Sequence, residues 1–366
     1  MNAAAGSSQA HTVLGLDRRL VPLAGTLLLF VAMIIFGAVS YKAFLAPQVF
    51  LNLFIDNAFL LIVAVGMTFV ILTGGIDLSV GSLLALTTMA TAALVEKAHW
   101  SPWVAIPLVL AGGTAFGAAQ GFLIHRYRLQ PFIVTLAGMF VARGLCYLID
   151  TESIPVTHPL FQELAYARVP LGGRTAISSG AIIAILTAGI AIWLAHSSRF
   201  GRTVYAIGGS AKSAALMGLP VGSTLIRVYA FSGFCAALAG LVMTVYMLSG
   251  YSLHAVGLEL DAIAAVVIGG TLLTGGVGYV AGTVVGVLIL GIIQTLVIFN
   301  GTLSSWWTRI VVGILLFVFC ASQKLIEARA SRRGAPSALR RGAPSALRRG
   351  AQSALRRGAP SKEKPK

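Results

Sequence analysis

Leu72–Ser82 reads LTGGIDLSVGS and Leu273–Thr283 reads LTGGVGYVAGT. Both fit one pattern, L-T-G-G-[I/V]-x4-G-[S/T], at an offset of 201 residues. Each follows a long apolar run and precedes another. Paired glycines unwind a helix at little cost, because neither carries a Cβ to clash. Unwound backbone at membrane depth must line a polar cavity or be buried in protein. Glycine-interrupted apolar segments in corresponding places of two halves point to a solute pathway. The plainer reading is close helix packing. Gly113, Gly117 and Gly121, and likewise Gly278, Gly282 and Gly286, form small-residue faces of that kind.

The rest of the chain fits a membrane setting. Of its 366 residues 57% are apolar and only 10% charged, and the mean hydropathy is +0.88. A soluble domain carries about 25% charged residues, so an ordinary cytosolic enzyme and a disordered protein are both excluded. The expected fold is all-α: a polytopic transmembrane helix bundle of about ten spans with two broken-helix pseudo-repeats. Apolar stretches long enough to cross lie at 20–39, 50–72, 79–96, 103–124, 131–149, 177–195, 226–247, 260–273, 280–299 and 306–323. The stretch 260–273 is the shortest and ends in glycine. The first run is read as a retained anchor, since it is long and Ala38-Val39-Ser40 is a loose cleavage site.

Charge sorts the loops. With Arg18 and Arg19 in the cytoplasm, the inner segments hold Arg126, Arg128, Arg199, Arg202, Lys212, Arg227 and the basic C-terminus. The outer segments collect Glu96, Asp150, Glu152, Glu163, Glu259 and Asp261, with only Lys42, Lys97, Arg168 and Arg174 as basic exceptions. The positive-inside rule therefore places both termini in the cytoplasm. The expected organisation is a cytoplasmic N-terminus over 1–19, a transmembrane domain over 20–325 and a basic, low-complexity, disordered cytoplasmic tail over 326–366. The net charge of +16 is mostly a property of that tail, where RRGAPSAL recurs from Arg332 with a period of eight. It argues for attraction to anionic lipid and not for nucleic-acid binding.

Between two spans lies the basic, amphipathic segment 196–225, HSSRFGRTVYAIGGSAKSAALMGLPVGSTL. A short helix over Ser210–Met217 is expected, capped by Ser210 and ended by Gly218-Leu219-Pro220. It is either an interfacial helix resting on lipid or a docking surface for a partner protein.

Candidate pathway residues follow from their cost inside lipid. A neutral polyol needs many hydrogen-bond donors and acceptors and few charges, which exposed peptide groups with Asp, Asn, Ser and Thr supply. Thr73, Gly74, Gly75, Asp77 and Ser79 belong to the first motif; Thr274, Gly275 and Gly276 belong to the second. Asp77 either accepts from a solute hydroxyl or caps the following helix. Arg143, mid-span with no acid nearby in sequence, is expected to pair with a carboxylate from another helix or with backbone carbonyls. Asn57 beside Asp56, and Glu259 with Asp261, are boundary residues or solute contacts.

Several chemistries are missing. Ala206–Ser213 (AIGGSAKS) lacks the fixed glycines of a phosphate-binding loop, so ATP hydrolysis by that route is excluded. Gly276–Ala281 imitates a dinucleotide fingerprint without a strand–turn–helix around it. No HExxH, GxSxG or nucleophile–base spacing occurs, and Cys146, Cys235 and Cys320 are too scattered for a metal or disulfide framework. No metal and no cofactor are expected. No chain of buried carboxylates suggests proton coupling. A carrier so equipped needs energy from a partner.

These residues carry a resemblance. GMTFVILTGGIDLSVGSLLAL (Gly66–Leu86) resembles the signature of permease subunits of bacterial sugar ABC importers, the ribose, xylose and arabinose group. Arg199–Gly218 resembles their cytoplasmic coupling segment and Asp261–Gly278 their second-half motif. The likeness covers roughly residues 20–325. Asn52–Thr73, Thr151–Pro159 and Gly301–Trp307 are most similar to the galactofuranose-type permeases. The resemblance implies a bacterial inner-membrane subunit that pairs with a second permease, a heteromer being favoured. It also implies a cytoplasmic ATPase that docks on the coupling segment and a periplasmic sugar-binding protein that delivers solute. Arg199, Arg202, Tyr205, Gly208, Gly209, Lys212, Ala215 and Met217 would then be the coupling residues. The repeated tail departs from the family pattern. The rivals are a stand-alone secondary carrier or channel, and, within the class, a nucleoside or amino-acid permease.

Overall fold

The computed structural model describes residues 12–13, 16–17, 21–173, 175–302, 304 and 306–334. In chain order the helices are α1 (Val21–Ser40), α2 (Pro47–Asp56), α3 (Ala58–Leu72), α4 (Val80–Ala92), α5 (Pro102–Tyr127), α6 (Pro131–Ile149) and α7 (Pro159–Tyr166). They continue with α8 (Ser179–Ser197), α9 (Arg199–Leu216), α10 (Val221–Met247), α11 (Leu258–Ile268), α12 (Val280–Asn300) and α13 (Trp306–Gly334). Pro47, Pro102, Pro131 and Pro159 open α2, α5, α6 and α7. Proline suits that position because its φ is already helical and its missing N–H would have had no partner there. A π-helical turn, Ala93–Lys97, extends α4.

Burial divides the helices into two classes. α3 is apolar all round and nearly every one of its residues is buried, as is most of α10 and α11. These three form the core. α1, α5, α6, α8 and α13 bury one side and present large apolar groups outward, among them Leu28, Phe36, Trp103, Phe140, Leu148, Trp193 and Phe317. Leu148 is 83% exposed and Val39 84%, values that suit a hydrocarbon solvent and not water.

Small residues set the inner packing. A Cβ on Gly113 would lie 2.6 Å from the Ala237 Cβ, and one on Gly121 2.8 Å from the Ile226 Cα. A Cβ on Gly117 would overlap the Tyr229 carbonyl. The glycine face expected on α5 is thus spent against α10, which lets the two backbones approach. Gly282 and Gly286 of α12 likewise admit the carbonyls of Gly269 and Ala265 at α11. Gly278 departs from that face: it precedes α12, adopts φ 157° and packs on Thr271. Thr68 of α3 and Thr283 of α12 join across the core at 2.8 Å.

Each apolar run read from the sequence holds a helix, with two qualifications of length. Among the described residues seven helices are long and apolar enough to cross a membrane, and the pair α2–α3, bent by 60°, makes eight. The bend falls at Asn57, whose side-chain amide donates to the Leu53 carbonyl at 3.0 Å. The helix α11 has 11 residues, well short of the ~20 that span a bilayer. The apolar part of α13, Trp306–Ala321, is also short. The chain is an all-α polytopic membrane bundle.

The 150–178 connection is ordered by α7 and by an antiparallel hairpin of Arg168–Gly172 with Thr175–Ser178. Glu96 accepts from the Thr157 and His158 amides at 2.7 and 2.9 Å, and Lys97 pairs with Asp150. Asp150 lies outside the spans, and the Glu152 amide and Lys97 hold its carboxyl below the usual range. The chain divides into compact units Met1–Phe319 and Cys320–Lys366. Helix α13 runs to Gly334, past the boundary at 325 read from composition. Arg18, Arg19, most of the N-terminal segment 1–19, Arg174 and the tail from 335 onward lie outside the described residues.

Candidate functional site

The two Leu-Thr-Gly-Gly motifs end α3 and follow α11, and they meet. Gly74, Gly275 and Gly276 are left-handed, with φ of 80°, 84° and 76°, which explains glycine at each. The Gly74 amide donates to the Ile71 carbonyl at 2.8 Å and the Gly75 amide to Val70 at 3.0 Å, closing the C-terminus of α3. Thr73 Oγ1 donates to the Val70 carbonyl at 2.7 Å. The Gly275 amide turns back on Leu272 at 3.0 Å, and the Gly276 amide donates to the Leu72 carbonyl at 2.9 Å. A Cβ on Gly275 would sit 2.7 Å from the Gly74 nitrogen. Positions 201 apart in sequence therefore touch in space. These peptide groups are paired within protein, which is one of the two outcomes that unwound backbone requires. Gly74 and Thr274 remain exposed, while Gly75 and Gly275 are buried.

Asp77 sits just before α4 and is 1% exposed. One carboxylate oxygen accepts from the Ser79 amide at 3.0 Å and the Ser79 hydroxyl at 2.7 Å. The other accepts from Ser232 Oγ, on α10, at 2.8 Å. Ser79 Oγ also lies 3.2 Å from Gln120 Oε1 on α5. Asp77 thus fixes the entry to α4 and pins it to α10. Beside this network two buried polar atoms have no hydrogen-bond partner: Gln120 Nε2 and Tyr229 Oη. A Cβ on Gly75 would lie 2.5 Å from that tyrosine oxygen.

The segment expected as a short surface helix is two helices joined at a kink. Ser198 Oγ caps the start of α9 by accepting from the Gly201 amide at 2.9 Å. Ser210 leaves the helical region, with φ −168° and ψ 106°. Its Oγ accepts from the Ser213 amide at 3.2 Å, the capping role its position suggested. Gly218, at φ 76°, ends the second half. The first half was not anticipated. Tyr205 Oη donates to the Gly278 carbonyl at 2.8 Å. Gly208 is wedged so tightly that a Cβ there would overlap both the Leu72 carbonyl and the Gly276 nitrogen. Arg199, Arg202, Gly209, Lys212, Ala215 and Met217 are exposed, with Leu216 and Met217 presenting apolar side chains outward. The coupling candidates therefore split: Tyr205 and Gly208 grip the broken motifs, and the others face away.

Arg143 of α6 takes the backbone option. Its Nη1 donates to the carbonyls of Ser252 and, at 3.0 Å, His254, in the stretch before α11. Glu259, in the first turn of α11, lies against Gly81 in the first turn of α4: a Cβ on Gly81 would overlap Glu259 Oε2. Asp261 pairs with Arg309 at 3.3 Å. Asn57 packs on Gly291 of α12, 2.7 Å from where a Cβ would be. Glu259 and Arg143 fall together, Asp77 and Ser79 form a second group, and Asn57 and Asp261 stand apart from both.

Sequence reasoning passed over Gln120, Tyr229, Ser232, Ser252 and His254. Gln120 had a usable signal, as an amide within an apolar span. The others lack one, since serine, tyrosine and histidine are common at helix packing surfaces. Among the described residues no group of three or more His, Cys, Asp or Glu is placed to hold a metal.

Residues 49–320 match the family described as "Branched-chain amino acid transport system / permease component". The chain is 51% identical over 309 residues to the inner membrane ABC transporter permease protein YjfF of Escherichia coli K12, covering 84% of this chain and 93% of that protein. It is 40% identical over 321 residues to the fructose import permease protein FruG of Bifidobacterium longum, covering 86% and 93%. With the ribose import permease protein RbsC of Bacillus subtilis it shares 39% identity over 305 residues, covering 83% and 92%. No solved structure matches it.

Proposed function

The chain belongs to the branched-chain amino acid transport system / permease component family, within which its relatives are sugar ABC permeases, and from that premise we propose that it is the conducting subunit of an ATP-driven monosaccharide importer in a bacterial inner membrane. It is a transport component and not an enzyme. ATP is hydrolysed by a separate cytoplasmic subunit. A periplasmic sugar-binding protein feeds the outer mouth, and a second permease, different from this one, completes the pore. Relatives named for fructose and ribose import favour a sugar over an amino acid. The resemblance of Asn52–Thr73, Thr151–Pro159 and Gly301–Trp307 to the galactofuranose-type permeases makes that furanose the specific candidate.

The observation that carries this reading is the seat of Gly208. A surface segment rich in Arg and Lys is locked by one glycine onto the Leu72 carbonyl and Gly276, where both broken motifs meet. A motor pulling on the exposed half of α9 moves the motifs without contacting them, as alternating access requires. The touch between Gly74 and Gly275 is what a local two-fold axis between the halves produces, and it supports the pseudo-repeat. Ten membrane segments, α11 being a short one, with both termini cytoplasmic, agree with the distribution of Lys and Arg.

Uptake in cells tests the proposal. A strain lacking this chain is expected to lose accumulation of labelled galactofuranose or a related monosaccharide at micromolar supply and to regain it on complementation. Complementation that persists with a catalytically dead ATPase partner would contradict the motor-driven reading and favour a stand-alone carrier.

A further inference from the structure

Three buried polar atoms without partners lie within eight residues of chain: Ser252 Oγ, His254 Nδ1 and Glu259 Oε2. Ser252 is 1% exposed. Buried groups of this kind are few in native proteins and each calls for a reason. They share one neighbour. Arg143 reaches from α6 and spends Nη1 on the Ser252 and His254 carbonyls. Its Nη2 and Nε form no hydrogen bond among the described residues. Its charge acts on both His254 and Glu259, yet it makes no ion pair with Glu259. A donor-rich cation and an acceptor-rich carboxylate thus face the same place without closing on each other.

The surrounding backbone closes tightly on that place. Glu259 stands in the first turn of α11, and its carboxylate fits only because Gly81, in the first turn of α4, has no side chain. A Cβ on Gly81 would also come within 2.8 Å of the Ala255 carbonyl. The first turn of α4 is buried at Val80, Gly81 and Ser82. The helix α4 runs beside the C-terminal half of α10, Gly240 lying against Thr87, and Gly250, just past α10, lies against Thr88. The helix α11 packs its later residues on Gly286 within α12. Two helix N-termini that meet are a geometry that membrane carriers use for solute sites. Asp77, just before α4, has its carboxylate already occupied by Ser79 and Ser232.

We infer that Arg143, Ser252, His254 and Glu259, closed against Gly81 in this structure, form the station where the passing solute is held. This rests on the permease reading above and deepens it. Glu259 accepts from two hydroxyls, Nη2 and Nε of Arg143 donate to hydroxyl or ring oxygens, and Ser252 and His254 complete the shell. One fixed cation and one carboxylate leave the station without net charge, which suits a neutral polyhydroxylated solute.

The test uses the complete importer, with its partner permease, ATPase and receptor, in proteoliposomes. Uptake of a pentose and a hexose is compared with that of their single-deoxy analogues in the wild type and in Glu259→Gln. The variant is expected to lower uptake of the parent sugar about tenfold, the effect of one lost hydrogen bond to a charged group. The deoxy analogue that lacks the matching hydroxyl should lose little more, because its partner is already gone. That non-additivity is the signature of direct contact, and a purely structural role would not produce it. If Glu259→Gln does not reach the membrane, Ser252→Ala carries the same comparison. Equal losses for every analogue, or unchanged uptake of the parent sugar, would overturn the station while leaving the permease reading intact. Transport of leucine but of no sugar by the wild type would overturn the sugar reading itself.

Discussion

Gly208 and Gly209 are adjacent in sequence and opposite in demand. Nothing lies within 4 Å of a Cβ built on Gly209, whereas one on Gly208 would strike the Leu72 carbonyl and Gly276. Overpacking against backbone costs about 1–3 kcal/mol, and each 1.4 kcal/mol is about tenfold in an equilibrium. Gly208→Ala is expected to lower transport about tenfold or more, and Gly209→Ala to leave it near wild type, measured as initial uptake at equal expression. Asp77 makes a different demand. Its replacement by alanine strands the Ser79 amide and the Ser232 hydroxyl in a buried setting, at about 1–3 kcal/mol per group. Asp77→Ala is expected to lower both transport and the thermal midpoint of the purified chain, with Asp77→Asn the milder change; full transport at normal expression would leave Asp77 without an essential role. Beside its two readings from sequence, solute contact and helix cap, its carboxylate holds Ser79 and Ser232. No local pattern announced the partner Ser232, which lies on α10, 155 positions away. Arg143 was readable as a residue needing neutralisation, and backbone carbonyls were among its expected partners. That they belong to Ser252 and His254, 109 and 111 positions on, was not.

At the scale of elements, apolar length located the helices, because it acts through short-range physics. The breaks were harder. The run 50–72 reads as one span, yet it bends by 60° at Asn57. The side chain there satisfies Leu53 instead of leaving the backbone ladder undisturbed. The Ser210 cap and Gly218 stop were legible, since capping is local. The first half of α9 was not, since what holds it is the distant Leu72–Gly276 backbone. The exposed second half, with Lys212, Leu216 and Met217, has no comparable inward grip. Deletion of Ser210–Met217 is therefore expected to abolish uptake while leaving membrane insertion intact, checked by uptake and by membrane fractionation. Met217→Asp should weaken co-purification with the ATPase subunit. Normal uptake by the deletion would remove the docking role from this element.

For the molecule as a whole, the outward apolar belt and the buried α3, α10 and α11 form a bundle whose centre is interrupted helix. Composition revealed the bundle, and the repeated motif revealed where it is interrupted. Neither revealed that the interruptions touch each other and the coupling segment, which depends on tertiary packing alone. Under the proposed function this chain is half of a conduit worked by an external motor. Purified chain in proteoliposomes, with the receptor and sister permease present and sugar held equal on both sides, tests it directly. Adding the ATPase subunit and ATP should drive accumulation of monosaccharide in the direction of import, and omitting either should leave the two compartments equal. Uphill accumulation without the ATPase would contradict the account.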